Sequence, residues 1–525
     1  MPPVLKADPA DVDADSADLN PGDVDYDGEA FEPEPMVQSP MSSFARQVTS
    51  HVTSFPANLT DRFSARRQPF MVRRNYAYEI RSSLTFPLAA ALAEGTFTGI
   101  VASKYFQAGP WLIAVITAAP MFGNILALLW SQLAEGKPKV PFINVLQVGV
   151  VICMASVGMT YFVPDLGLAA LAFTALIIIA RILASGIITL RSAVWRMNYP
   201  RALRGQIISR INGVYNTVLA GMVLIAAFIL DVQPASYAII YPVVALVSLI
   251  GVVQYSKIRV RGEGRQIRRF HMQPAAVNEL DVVDYERVTR ERRAGGPLKR
   301  LAGQVGDSFR LLREDKAFRE YQWWQFILGA SFMLMFPSLI SMVSSEMTNE
   351  RTQYVLAVVV LQLIPMMTGV VFLQVWAPIF DRLDLFRFRI RLGFAAISAH
   401  SLILLGALTN QLWIVAAGTF MVGVSMGGGQ LAWQLGQNAF ATKDNLNTYM
   451  GLHVMLTGLR GMFVPFLGVL IFRNLDTFFP SAAVNGTDSG RWLFAVSVVL
   501  CMIGTAGYWR MSRVYGEMQR DESER

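Results

Sequence analysis

The chain has 525 residues, of which 53% are hydrophobic and only 16% charged, with a mean hydropathy of +0.39 and a formal net charge of +8. Soluble domains carry about 25% charged residues, so the composition argues against a soluble protein and fits a surface that faces lipid. The basic balance would suit nucleic acid; in a chain this apolar it is better read as basic loops on the cytoplasmic side of a membrane, and no nucleic-acid partner is expected. Cys153 and Cys501 both fall inside apolar runs, and His51, His271, His400 and His453 are scattered. No disulfide framework, metal site or cofactor is suggested.

Residues 1–75 show no sustained apolar period, and residues 1–36 hold eleven Asp/Glu against one Lys. This composition predicts a disordered acidic tail. No apolar run with a cleavage signal opens the chain, so a cleaved secretory signal is not expected. From Arg62 to Arg81 the charge turns basic, which places the N-terminus in the cytoplasm.

The first apolar segment, 84–106, reads LTFPLAAALAEGTFTGIVASKYF, with Glu94 in its middle. It is long enough to cross a bilayer as one helix. Five more follow at 111–133, 142–163, 166–190, 207–230 and 235–255. The polar stretch 256–320 holds sixteen Lys/Arg and ten Asp/Glu; it reads as a cytoplasmic linker with a surface helix around 297–312. Six further segments lie at 323–342, 354–377, 390–408, 412–435, 449–472 and 492–508. Only helices fit, because a lone spanning strand leaves backbone groups unpaired in lipid.

Alternate loops are basic: Lys137 and Lys139, 191–210, the long linker, 382–391, Lys443 and the tail 510–520. The intervening loops are short and poor in net positive charge. Twelve helices with both termini in the cytoplasm satisfy this asymmetry. The expected fold is an all-α membrane protein with twelve transmembrane helices as two six-helix bundles. Its organisation is a disordered tail 1–75, a first bundle 76–256, a linker 257–320, a second bundle 321–512 and a cytoplasmic tail 513–525.

The two halves are alike at matching places. Trp130, small residues, Glu135, Lys137 and Lys139 follow the second helix of the first half; Trp376, small residues, Asp381, Arg382 and Arg387 follow the second helix of the second. A second pairing sets Trp195 with Gly221 against Trp433 with Gly461. Two halves in one orientation form a parallel repeat of the kind secondary transporters use, with the substrate site at their interface near the midplane.

These loops resemble the signature of the major facilitator superfamily, roughly G-x-x-x-D-R-x-G-R-R. Asp381-Arg382 with Arg387 and Arg389 is the better match; Glu135, Lys137 and Lys139 form a shortened version lacking the Arg after the acid. Arg181 in the fourth helix resembles the intramembrane Arg of that family. The resemblance covers about residues 76–515 and implies two six-helix bundles rocking about a central cavity.

Ionisable groups at membrane depth are costly and functional by default. Glu94 and Arg181 read either as a coupling or substrate-binding pair or as a static interhelical ion pair. Glu135, Lys137, Asp381 and Arg382 read as a cytoplasmic gate, made in one state and broken in another; that reading follows mostly from the resemblance. Arg460 and His453 lie seven apart and share a face. A cavity Arg would favour an anionic solute, or would instead pair with a backbone carbonyl. Gln430, Gln434 and Gln437 step by four and three as one polar face of the tenth helix, after Gly427–Gly429. His453 and His400 lean toward packing roles.

No phosphate-binding Gly-x-x-x-x-Gly-Lys-Ser/Thr loop or His-Glu-x-x-His motif occurs, so neither an ATP motor nor a clustered catalytic set is found. The expected function is secondary-active transport of a small molecule by alternating access, proton-coupled, by a monomer in the inner (plasma) membrane, and not an enzyme. The alternative is a non-transporting sensor or assembly factor with the same fold.

Overall fold

A computed structural model of the chain describes residues 68–271, 306, 310–349, 352–441, 446–478 and 489–515. The acidic tail up to residue 67, most of the linker with its expected surface helix around 297–312, and the loop around Lys443 lie outside these residues. Among the described residues the regular structure is helical throughout.

The first half comprises α1 (Phe70–Leu92), α2 (Gly95–Lys104), α3 (Pro110–Leu133), α4 (Lys139–Val157), α5 (Leu166–Asn198), α6 (Arg201–Val232) and α7 (Tyr237–Tyr255), followed by the short α8 (Glu263–His271). The second comprises α9 (Lys316–Met342), α10 (Tyr354–Val358) running through a wide π-type turn into α11 (Ile364–Arg382), α12 (Leu385–Thr409), α13 (Leu412–Leu435), α14 (Leu446–Phe478) and α15 (Leu493–Val514). Eleven helical stretches among the described residues are long and apolar enough to cross a membrane, from Phe70–Lys104 to Gly490–Val514. The remaining expected segment, 111–133, is helical as α3, whose apolar stretch Pro110–Leu126 is shorter.

Several helices run past the apolar segments that mark them. α1 begins at Phe70 rather than 84, inside the stretch expected to be disordered; α9 begins at Lys316 inside the expected linker; α5 continues to Asn198. Caps explain some of these starts. The Asp165, Asp315 and Asp384 carboxylates accept from the N–H of Leu168 (2.6 Å), Phe318 (2.8 Å) and Arg387 (2.9 Å). Each satisfies a backbone donor that the first turn leaves without a partner.

The expected single helix over 84–106 is interrupted. α1 stops at Leu92, Glu94 is extended (φ −69°, ψ 129°), and α2 starts at Gly95. Glycine is a poor helix-interior residue, and the Thr98 hydroxyl competes for the Glu94 carbonyl at 2.9 Å. Non-helical backbone at membrane depth survives where it lines a cavity rather than lipid.

The halves pack by the same plan. In the first, α1 packs on α6 and α7, α3 and α4 on α5, and α4 on α7; in the second, α9 packs on α14 and α15, α11 and α12 on α13, and α12 on α15. The tryptophans that the repeat pairs play matching parts. A Cβ at Gly186 of α5 would meet the indole of Trp130, and one at Gly428 of α13 would meet that of Trp376. At the other pairing the surroundings differ: a Cβ at Gly461 would meet Met121, whereas one at Gly221 would meet nothing.

Between the halves, α3 packs on α14 and α6 on α10, while α2 meets α9 and α10. Hydrogen bonds from Lys104 and to Asp231 join the halves at the end of the bundle where α2 and α6 finish. The opposite end holds the start of α9 and the finish of α15, where Arg510 Nη1 meets Glu320 Oε1 at 2.8 Å.

Candidate functional site

A cavity of about 810 Å³ lies between the halves, lined by residues of both. That is within the size range of small-molecule sites, which combine apolar walls with a few convergent polar groups. Its walls include Met121, Phe332, Phe336, Met366 and Trp433; its polar groups include Glu94, Asn216, Gln325, Arg389 and Arg460.

The break after α1 turns Glu94 into the cavity. Arg181 Nη1, on α5, donates to Glu94 Oε2 at 3.2 Å. The Glu94 side chain is 35% exposed and that of Arg181 19%; Glu94 lines the cavity, and Arg181 is not among its lining residues. Tyr215, on α6, lies within electrostatic reach of both and of Arg191.

Arg460 is buried on α14 and lines the cavity. Its Nη1 donates to the Gln325 carbonyl at 2.8 Å, and its guanidinium stands 5.9 Å from the centroid of the Phe326 ring. A Cβ at Gly329 would collide with that guanidinium, so the glycine makes its seat.

The glutamine stripe divides. Gln430 and Gln434 line the cavity. Gln437 does not, because α13 ends at Leu435 and the chain turns into a 3-10 segment, Gly436–Ala439. Its buried side-chain amide has no hydrogen-bond partner among the described residues. His453 also stays behind the wall: Nδ1 is 3.1 Å from Gln322 Oε1, and its ring lies 5.2 Å from that of Trp433. His400 is packed away, with Nδ1 2.7 Å from the Ala396 carbonyl.

The expected gate residues sit at the end away from Lys104. Lys137 lies over the Phe142 ring at 5.6 Å, Glu135 follows the end of α3, and Asp381 and Arg382 are exposed at the end of α11. No ion pair joins Asp381 or Arg382 to a described residue in this state. The ion pair in that loop is Arg387–Asp384, at 3.1 Å.

Three features escape the sequence reading. Arg389, noted there only as part of a loop signature, is buried on α12 and lines the cavity. Its Nη2 donates to the Tyr321 hydroxyl at 2.6 Å, to the Ala432 carbonyl at 3.0 Å and to Gln325 Oε1. Glu79 and Arg191 form a buried pair between α1 and α5, with Trp195 Nε1 donating to Glu79 Oε1 at 2.9 Å. Arg491 Nη2 meets Glu346 Oε2 at 2.6 Å near the start of α15. Each lies at the edge of an apolar segment, where charge is ordinarily loop charge; the one available signal was the Asp384 cap, which draws Arg389 into a helix. Among the described residues no group of three His, Cys, Asp or Glu stands close enough to hold a metal ion.

The Major Facilitator Superfamily model matches residues 82–465. No curated protein matches the sequence. Among solved structures the chain is similar to a POT family transporter in complex with thioalcohol conjugated peptide, at 12% identity and TM-score 0.58, covering 84% of this chain and 97% of that one. It is similar to the nucleoside transporter NupG at 12% identity and TM-score 0.56, covering 83% and 98%. It is also similar to the xylose transporter XylE from E. coli in a partially occluded inward open conformation, at 11% identity and TM-score 0.53, covering 84% and 98%. At these identities the likeness is one of fold. The family match spans well over half of the chain, and the chain therefore belongs to the major facilitator superfamily.

Proposed function

We propose that this protein is a secondary-active carrier that moves a small solute by alternating access, driven by protons through Glu94 and Arg181. The observation that carries the reading is Glu94, at a helix break, facing a cavity between two similarly built halves and ion-paired with Arg181. A carboxylate beside a guanidinium holds its proton weakly, and one separated from it in an apolar site holds it strongly. Rocking of the halves that parts the two side chains would thus load a proton on Glu94, and their return would release it.

In this reading α3, with 24 residues, supplies the twelfth crossing, both termini are cytoplasmic, and the protein works as a monomer in the plasma membrane of the cell. The hydrogen-bonded end near Lys104 is the outer side, so this state opens inward. Asp381 and Arg382, with Glu135 and Lys137, would draw together at the inner end when the carrier opens outward. The test is uptake by vesicles reconstituted with the purified protein under an imposed pH gradient. Accumulation of a solute that collapses with a protonophore supports the reading. Equilibration indifferent to the gradient would remove proton coupling, and no movement of any solute would remove the carrier.

A further inference from the structure

The charge on the cavity wall is unbalanced. Glu94 is the one acid among the described lining residues, and Arg181 already meets it. Arg389 and Arg460 remain, 5% and 6% exposed, and neither is paired with an acid among the described residues. Both are fastened to one residue: Arg389 Nη2 to the Gln325 side-chain oxygen and Arg460 Nη1 to the Gln325 carbonyl, the latter at 2.8 Å. The Tyr321 and Tyr508 rings hold the Arg389 guanidinium at 5.4 and 5.7 Å from their centroids. These partners are neutral. They orient two cations that repel each other without neutralising either. The Nε atoms of both arginines are buried and make no hydrogen bond to a described residue.

We infer that the carried solute is an amphipathic organic anion whose carboxylate or phosphate sits between Arg389 and Arg460. Uncompensated charge at this depth is costly until a counter-ion arrives. A guanidinium presents a planar fork of donors that matches an oxyanion in a bidentate manner, which a lysine ammonium does not. Gln430 and Gln434 add hydrogen-bonding amides to the cavity lining. The cavity is also lined by Phe332, Phe336, Met366 and Trp433, apolar side chains that suit a hydrocarbon or aromatic body. The inference rests on the carrier reading only for calling the bound molecule a transported solute; binding itself can be measured without transport.

The experiment uses the purified full chain in lipid nanodiscs and follows thermal unfolding against matched probes: benzoate, 4-phenylbutyrate and phenyl phosphate, with benzamide, benzyl alcohol, benzylamine and inorganic phosphate as counterparts. At least one of the three organic acids is expected to raise the unfolding temperature in a saturable manner, while the amide, alcohol and amine do not. A carboxylate or a phosphate preference identifies the head group. Arg389→Gln and Arg460→Gln are each expected to weaken that binding at least about tenfold, and Arg460→Lys to restore part of it. The inference is overturned if no organic acid stabilises the protein, if the neutral or cationic partner does so equally, or if both folded Gln variants bind as the parent does. Should the Gln variants not fold, the comparison of acid with amide on the parent protein decides alone. Binding of an acid that vesicles fail to accumulate would sink the carrier reading and leave the anion site standing; gradient-driven uptake of a neutral solute without acid binding would do the reverse.

Discussion

Lys104 of the first half donates to Thr348 Oγ1 of the second at 2.9 Å, and the same ammonium reaches the carbonyls of Ser344 (2.9 Å), Asn349 (2.5 Å) and Thr352 (2.8 Å). It is buried over the Tyr354 ring. Beside it, the Asp231 carboxylate accepts from the backbone N–H groups of Tyr354 and Val355, capping α10 from across the interface. Charge-assisted hydrogen bonds contribute roughly 1.5–3 kcal/mol each when buried, so this knot favours closure at its end of the cavity. Lys104→Met removes the ammonium and keeps the length of the chain. The expected outcome is a population shifted toward opening at that end, by tenfold for each 1.4 kcal/mol lost. A thiol introduced as Leu219→Cys on the cavity wall should then react at least about tenfold faster with a membrane-impermeant reagent applied from the Lys104 side. Unchanged labelling would mean that the knot is not what holds this end shut.

Glu94→Gln keeps shape and hydrogen-bonding capacity but cannot exchange a proton. Under the proposed coupling, accumulation against a gradient should fall to the level of empty vesicles while exchange of labelled for unlabelled solute continues. Arg181→Gln should leave Glu94 without its cationic neighbour and slow release of the proton, again sparing exchange more than accumulation. Equal loss of exchange and accumulation in both variants would make the pair structural.

The Glu79–Arg191 pair answers to a different measurement. At 2.5 Å, with side chains 1% and 11% exposed, it is shielded from screening by solvent. Arg191 Nη2 also donates to the Ser83 hydroxyl at 3.2 Å, and its guanidinium lies 5.0 Å from the Trp195 ring centroid. Removing one partner strands a buried charge and costs about 3–5 kcal/mol, whereas removing both costs less. Glu79→Ala should therefore lower the unfolding temperature more than the double change Glu79→Ala with Arg191→Leu. A double variant less stable than the single one would show that each side chain works through other neighbours.

The reach of the sequence follows from what hydropathy reports. Apolar runs mark lipid-facing surface, so the spanning segments and the kinship of the halves could be read from it, down to Trp130 and Trp376 seated on matching glycines. Helix beyond the lipid boundary has no such marker. Glu79, Lys104, Arg191 and Arg389 stand at or near the ends of apolar segments, yet each is held by polar groups from elsewhere in the fold that hydropathy does not see. Glu94 was legible as an anomaly, because an acid in an apolar run needs an explanation; the helix break beside it was not, since a lone glycine in a helical pattern is ambiguous. Gln437 failed for the opposite reason: helical spacing was extended past Leu435, where the helix had already ended.

Gly329 offers a test that separates site geometry from stability. It sits on α9 against the guanidinium of Arg460, and any Cβ there would overlap it. The obstructing atoms are the far end of a long side chain, so Gly329→Ala is relieved by moving Arg460 rather than by shifting a helix. Alanine is also favoured over glycine in a helix by roughly 1 kcal/mol, and the unfolding temperature should stay level or rise slightly. The displaced guanidinium, however, loses its bond to the Gln325 carbonyl and its setting beside Arg389. Solute binding is expected to weaken by about tenfold or more, the consequence of losing one well-placed charged contact. Thermal unfolding and equilibrium binding on the same preparation read the two effects apart. A Gly329→Ala protein that binds as tightly as its parent would show that Arg460 does not need this seat, and its part in selecting the solute would have to be given up.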